Sequence, residues 1–162
     1  MDTIALFGGS FDPPHIGHEA IVKALQKFKN VDKIIILPTF LNPFKSKSFA
    51  SAINRLNCLR TRFHGFDRVE ISDYEIIQGQ KVPSIQSVKH FLKLYKHIYL
   101  VIGADNLACL NKWQSYDELK DLVTFIVATR DDIDIPKEYI SLNINEDISS
   151  TLIREKDKQS KF

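Results

Sequence analysis

The stretch Thr3-Ile4-Ala5-Leu6-Phe7-Gly8-Gly9-Ser10-Phe11-Asp12-Pro13-Pro14-His15-Ile16-Gly17-His18 leads from an apolar run, through a Gly-Gly turn and a Pro-Pro bend, into helical spacing. Thr3–Phe7 reads as a buried strand, and Ala20, Ile21, Ala24, Leu25 and Phe28 share one face of the helix that follows. Glycines at such a joint let the backbone approach a ligand closely, and the helix start supplies N–H groups and a positive dipole end. Pro13 and Pro14 fix the approach to that helix. The stretch is neither GxGxxG nor a Walker A loop, so a dinucleotide fingerprint or a P-loop is not supported. His15 and His18 are three apart, neighbours on a first helical turn, and suited to donate to phosphate oxygens as charge builds up. As zinc ligands they lack an HExxH pattern and an evident third ligand.

Working outward, Lys33–Leu37, Val69–Ser72, His97–Ile102 and Thr124–Ala128 are further short runs without strict alternation, as strands buried on both faces require. Between them Ile53, Leu56, Leu59 and Phe63 mark a second helix, and Ile85, Val88, Leu92 and Tyr95 a third. Ser115, with Glu118 three residues on, reads as a capping box opening another. The alternation predicts a single-domain α/β protein: a doubly wound, Rossmann-like parallel sheet of about five or six strands with helices on both faces. Residues 1–154 form the expected domain and 155–162 a short polar tail. In such sheets ligands sit beyond the carboxyl ends of the strands. The segments after the first, second and fourth strands are therefore the places to look.

With 162 residues, 22 Lys+Arg and 20 Asp+Glu, the chain has a formal charge of +2, which argues against a protein that coats nucleic acid. Cys58 and Cys109 form no CxxC, which favours free thiols. Met1-Asp2-Thr3 lacks a basic leader region, and no apolar run approaches the roughly 18 residues that span a bilayer. The expectation is a cytoplasmic protein with no nucleic acid and no membrane partner, and the charge balance leaves room for a local cationic pocket for a phosphorylated small molecule.

Near the other end, Ile148-Ser149-Ser150-Thr151-Leu152-Ile153-Arg154 combines hydroxyls at a helix start with a planar guanidinium suited to phosphate. GGSFDPPHIGH resembles the signature of the HxGH nucleotidyltransferases, with His15-Ile16-Gly17-His18 as the HxGH element, and ISSTLIR resembles their ISSTxIR motif. Class I aminoacyl-tRNA synthetases share the first element but are far longer. Gly103, Asp105 and Trp113 resemble the GxDxxxxxxxW stretch of the bacterial nicotinate-nucleotide adenylyltransferases, and the likeness runs in order from Gly8 to Arg154.

That resemblance implies transfer of AMP from ATP to nicotinate mononucleotide, releasing pyrophosphate, in NAD biosynthesis. It implies His15, His18 and Arg154 as catalytic residues. It puts Gly8, Gly9, Ser10, Phe11, Gly103, Asp105, Ser149, Ser150 and Thr151 with His18 and Arg154 around ATP. Lys45, Ser84, Gln86 and Trp113 fall to the mononucleotide, and Mg²⁺ arrives with ATP; no protein metal site is expected. Three positions depart from the pattern: Phe44 stands where the family has His, Ile85 replaces a Tyr, and Gln86 replaces a Thr. The Gln86 amide suits either a carboxylate or a carboxamide on the pyridine ring. Arg55 falls on a position that is commonly basic in relatives, although a helix-surface arginine is its default reading. The alternatives are phosphopantetheine adenylyltransferase and, in another class, a non-catalytic nucleotide-binding sensor module.

Overall fold

A computed structural model describes residues 2–40, 51–129 and 135–144. Its strands are β1 (Thr3–Gly9), β2 (Lys33–Pro38), β3 (Val69–Ile71), β4 (His97–Gly103), β5 (Thr124–Thr129) and β6 (Ile140–Asn143). The helices are α1 (Ile16–Leu25), α2 (Ala52–Arg62), α3 (Tyr74–Ile77), α4 (Ser84–Leu92) and α5 (Tyr116–Leu122), with a 3-10 segment over Ala104–Lys112. The expected parallel sheet is present, in the order β3-β2-β1-β4-β5-β6 with every neighbouring pair parallel. This is the doubly wound order whose direction reverses between the first and fourth strands.

The strands read as continuous apolar runs because both sheet faces are covered. Ile4, Leu6, Ile35, Leu37, Leu100 and Val127 point to one side, where Ile85, Val88 and Phe91 of α4 and Leu119 of α5 meet them. Ala5, Phe7, Ile34, Ile36, Val101 and Ile126 point to the other, against Val22 and Leu25 of α1 and Leu59 of α2. Two apolar faces leave the register weakly specified by pattern alone. Polar clamps at each end specify it. The Asp32 carboxylate accepts the N–H groups of Asp2 and Thr3, each at 3.0 Å, and Thr39 N–H donates to the Gly9 carbonyl at 3.0 Å. Those clamps put Gly9 level with Pro38 at the carboxyl edge of the sheet.

Two local expectations change. Ile53 does not join the core but is 57% exposed, while Leu56 and Leu59 of the same helix are buried. Ser115 is the N-cap of α5 but sits in the left-handed region (φ 55°), where its hydroxyl makes no capping bond. Glu118 reaches across to Lys89 of α4 at 2.8 Å and does not close a capping box.

Candidate active site

The strand order reverses between β1 and β4, the point beyond whose carboxyl edge doubly wound sheets take their ligands, and β1 delivers Gly8 and Gly9 to that edge. Phe11 follows in a left-handed conformation (φ 48°), the Asp12–Pro13 peptide is cis, and His15 caps α1. The capping is reciprocal. His15 Nδ1 accepts the Gly17 N–H at 3.0 Å, while His18 Nδ1 accepts the His15 N–H at 3.0 Å. This is a capping box in which two imidazoles replace the usual Ser/Thr and Glu/Gln. A ring nitrogen that accepts a hydrogen bond is unprotonated, so both neutral rings carry their proton on Nε2. The rings stack at 3.8 Å with 25° between their planes. Burial, His15 and the Arg62 guanidinium, in that order, lower the His18 pKa to about 3, so the ring is a neutral donor at physiological pH.

Arg55 departs from its helix-surface reading, since it is only 1% exposed. From α2 it donates Nη1–H to the Ser10 carbonyl at 2.8 Å and Nη2–H to the Phe40 carbonyl at 2.7 Å. One side chain thus ties the loop after β1 to the chain leaving β2. Burial lowers its pKa, and the charge of Asp12 opposes that. Apolar periodicity had no signal for this, because the partners are backbone carbonyls 45 and 15 residues away.

On the β4 side, Asp105 is exposed at the start of the 3-10 segment, and Asn106 Nδ2 donates to the Gly103 carbonyl at 3.3 Å. A Cβ at position 103 would lie 2.7 Å from Asp105 Oδ1, so a bare α-carbon is required for the carboxylate to fold back over it. Gly8, Gly9, Ser10, Phe11, His15 and His18 belong to the β1–α1 junction, while Gly103 ends the neighbouring strand β4 and Asp105 opens the 3-10 segment that follows it. Ser84 is the first residue of α4, and Gln86 is exposed in the same first turn, with Nε2 3.4 Å from the Tyr74 hydroxyl. Gln86 lines a cleft of about 380 Å³ together with Tyr74, His90, Gln114 and Ser115. Trp113, immediately before that cleft wall, packs against the core cluster, and its buried Nε1–H has no partner. Lys45, Ser149, Ser150, Thr151 and Arg154 lie outside the described residues. Among the described residues no three His, Cys, Asp or Glu side chains gather to hold a metal ion.

The family model for cytidylyltransferase-like proteins matches residues 6–156. A relative from Sulfurimonas denitrificans, named a probable nicotinate-nucleotide adenylyltransferase, is 65% identical over 100% of this chain and 89% of its own. One of the same name from Campylobacter fetus is 52% identical, covering 94% of this chain and 85% of its own. Among solved structures, the Plasmodium falciparum nicotinic acid mononucleotide adenylyltransferase complexed with NaAD superposes with a TM-score of 0.82 at 21% identity, over 96% of this chain and 83% of that one. Fold, junction and sequence agree: the chain belongs to the cytidylyltransferase-like family, among its nicotinate-nucleotide adenylyltransferases.

Proposed function

We propose that this protein transfers AMP from ATP to nicotinate mononucleotide, giving nicotinate adenine dinucleotide and pyrophosphate. The reciprocal His15–His18 capping box carries the reading. It uses two histidines where a Ser and a Glu would cap as well, and it yields Nε2–H donors at a phosphate-binding helix start. A phosphate oxygen of the mononucleotide attacks the α-phosphorus of ATP in line, the bond to the β-phosphate's bridging oxygen breaks, and pyrophosphate leaves. The attacking monoester is already anionic, so no general base is needed. Catalysis is positioning together with compensation of developing charge.

His18, with His15 beside it, donates to the transferring phosphate. The backbone from Gly8 to Phe11 cradles it, and Asp105 accepts from a ribose hydroxyl. The roles of Lys45 on the attacking phosphate, and of Ser149, Ser150, Thr151 and Arg154 on the leaving pyrophosphate, rest on the sequence likeness. Ser84, Gln86 and Trp113 are assigned to the mononucleotide, the Gln86 cleft taking the substituted edge of its pyridine ring. Mg²⁺ enters as part of the substrate Mg-ATP, bound by phosphate oxygens and water. The cytoplasm is the proposed compartment; among the described residues no helix is long and apolar enough to cross a membrane.

The test is pyrophosphate release from Mg-ATP with nicotinate mononucleotide, nicotinamide mononucleotide or phosphopantetheine as acceptor. Release with nicotinate mononucleotide is expected to dominate. Release only with phosphopantetheine would overturn the assignment, and ATP binding without release for any acceptor would make the protein a sensor.

A further inference from the structure

Phe11 combines four features that the proposed chemistry leaves unexplained. Its backbone is left-handed, a conformation that a bulky residue adopts only where its surroundings enforce it. Its ring is only 2% exposed, so it is not a surface for a nucleotide base. The same ring meets His18 edge-on at 4.7 Å and Phe7 edge-on at 5.1 Å. It also lies over Gly9, where a Cβ would stand 3.3 Å from the ring. The residue therefore has one place to go, and His18 is one wall of that place.

We propose that Phe11 is the positioning residue for His18: its ring, seated on the bare α-carbon of Gly9, blocks rotation of the imidazole and keeps Nδ1 on the His15 N–H and Nε2–H toward the ligand. The hydrogen bond alone does not do this. A histidine ring can turn about its last torsion, and a single 3.0 Å bond to a backbone N–H contributes little net once exchange with water is counted. The second constraint is steric. His15 stacks on one face of His18, the Phe11 and Phe7 rings approach it from the core, and the Arg62 guanidinium on α2 adds positive charge that opposes protonation. Arg62 is itself paired with Glu19 at 3.1 Å, next to His18 in the chain. Gly9 thus has a second reason to be glycine besides backbone approach to a ligand, since a methyl there competes for the space of the Phe11 ring.

The inference rests on His18 being the phosphate donor, but its first test does not use the reaction. Long-range proton–nitrogen NMR of the ligand-free protein reads the tautomer and titration of His18 directly. Wild type is expected to show Nε2–H His18 that stays neutral across pH 5–8. Phe11→Leu keeps the left-handed backbone without the ring, and Phe11→Gly relieves the backbone as well. Both are expected to mix the tautomers and bring His18 titration upward toward its ordinary range. Both should also lower kcat on the order of tenfold to a hundredfold, with KM for ATP within about threefold of wild type.

Gly9→Ala, which leaves Phe11 in the chain but presses on its ring at 3.3 Å, is expected to disturb His18 in the same direction and to a smaller extent. It carries the test if the Phe11 variants fail to fold. A folded variant of either position whose His18 tautomer and titration match wild type overturns the proposal. An altered His18 with unchanged kcat would instead refute its phosphate-donor role and leave the positioning intact.

Discussion

Replacing Arg55 with Met removes the link between the two loops at the carboxyl edge of the sheet while nearly preserving side-chain length. The guanidinium makes two charge-assisted bonds to carbonyls, 2.8 Å to Ser10 and 2.7 Å to Phe40, from a position only 1% exposed. Bonds of this kind are each worth about 1.5–3 kcal/mol, and deleting one partner of a buried charged network typically costs about 3–5 kcal/mol. Asp12, itself 5% exposed, also loses the positive charge near it. Arg55→Met is therefore expected to lower unfolding free energy by about 3–5 kcal/mol, measured by urea titration at pH 7. Arg55→Lys keeps the charge but cannot span both carbonyls, and should lose about 1.5–3 kcal/mol. Because Ser10 is part of the proposed phosphate cradle, kcat for dinucleotide formation should fall in both. An Arg55→Met protein within about 0.5 kcal/mol of wild type would show that the two carbonyls find water instead, and would refute the reasoning.

Gly103→Ala should push Asp105 off the backbone, since the new Cβ would meet Oδ1 at 2.7 Å. With the carboxylate displaced from its proposed ribose contact, KM for nucleotide is expected to rise about tenfold while the urea midpoint barely moves. Glu75 is only 5% exposed; Oε2 accepts from Ser87 at 2.6 Å and Oε1 has no partner, and burial raises its pKa from 4.5 to about 7. The folded state then holds this proton more tightly than the unfolded chain. The resulting stability is complete below pH 4.5 and is lost as pH rises to and through about 7, on the order of 3 kcal/mol at most. Glu75→Gln should flatten that pH dependence in urea titrations between pH 4 and 8, and an unchanged slope would assign it to other groups. Arg62→Met removes a positive charge acting on His18 and should raise the His18 pKa, read by NMR titration; a fall would contradict the sign.

The parts of the fold legible in the sequence were those enforced by burial on both sheet faces. The runs at β1, β2, β4 and β5 became strands because Ile, Val and Leu there meet helices on either side, whereas β3, at the sheet edge, half-buries Val69 and Ile71 on one face and exposes Glu70. The edge strand β6 is four residues long and carries too little pattern to stand out. The 3-10 segment over Ala104–Lys112 was also hidden, because three residues per turn leave no amphipathic period of 3.6. At the candidate site, the motif letters marked the β1–α1 junction but not its mechanics. That His15 and His18 cap each other depends on ring orientation, and the burial of Arg55 depends on carbonyls far away in sequence. The left-handed turn at Phe11 carries no glycine to announce it.

The central claim is that His18 acts on the transferring phosphate as a fixed, neutral donor. Measuring kcat and nucleotide affinity of His18→Ala side by side tests it most directly. For a fixed neutral donor the expected loss in kcat is on the order of a hundredfold to a thousandfold, with the dissociation constant for Mg-ATP changed by no more than about threefold. Equal losses in turnover and affinity would contradict it, and would leave His18 as a residue that binds ground state and transition state alike.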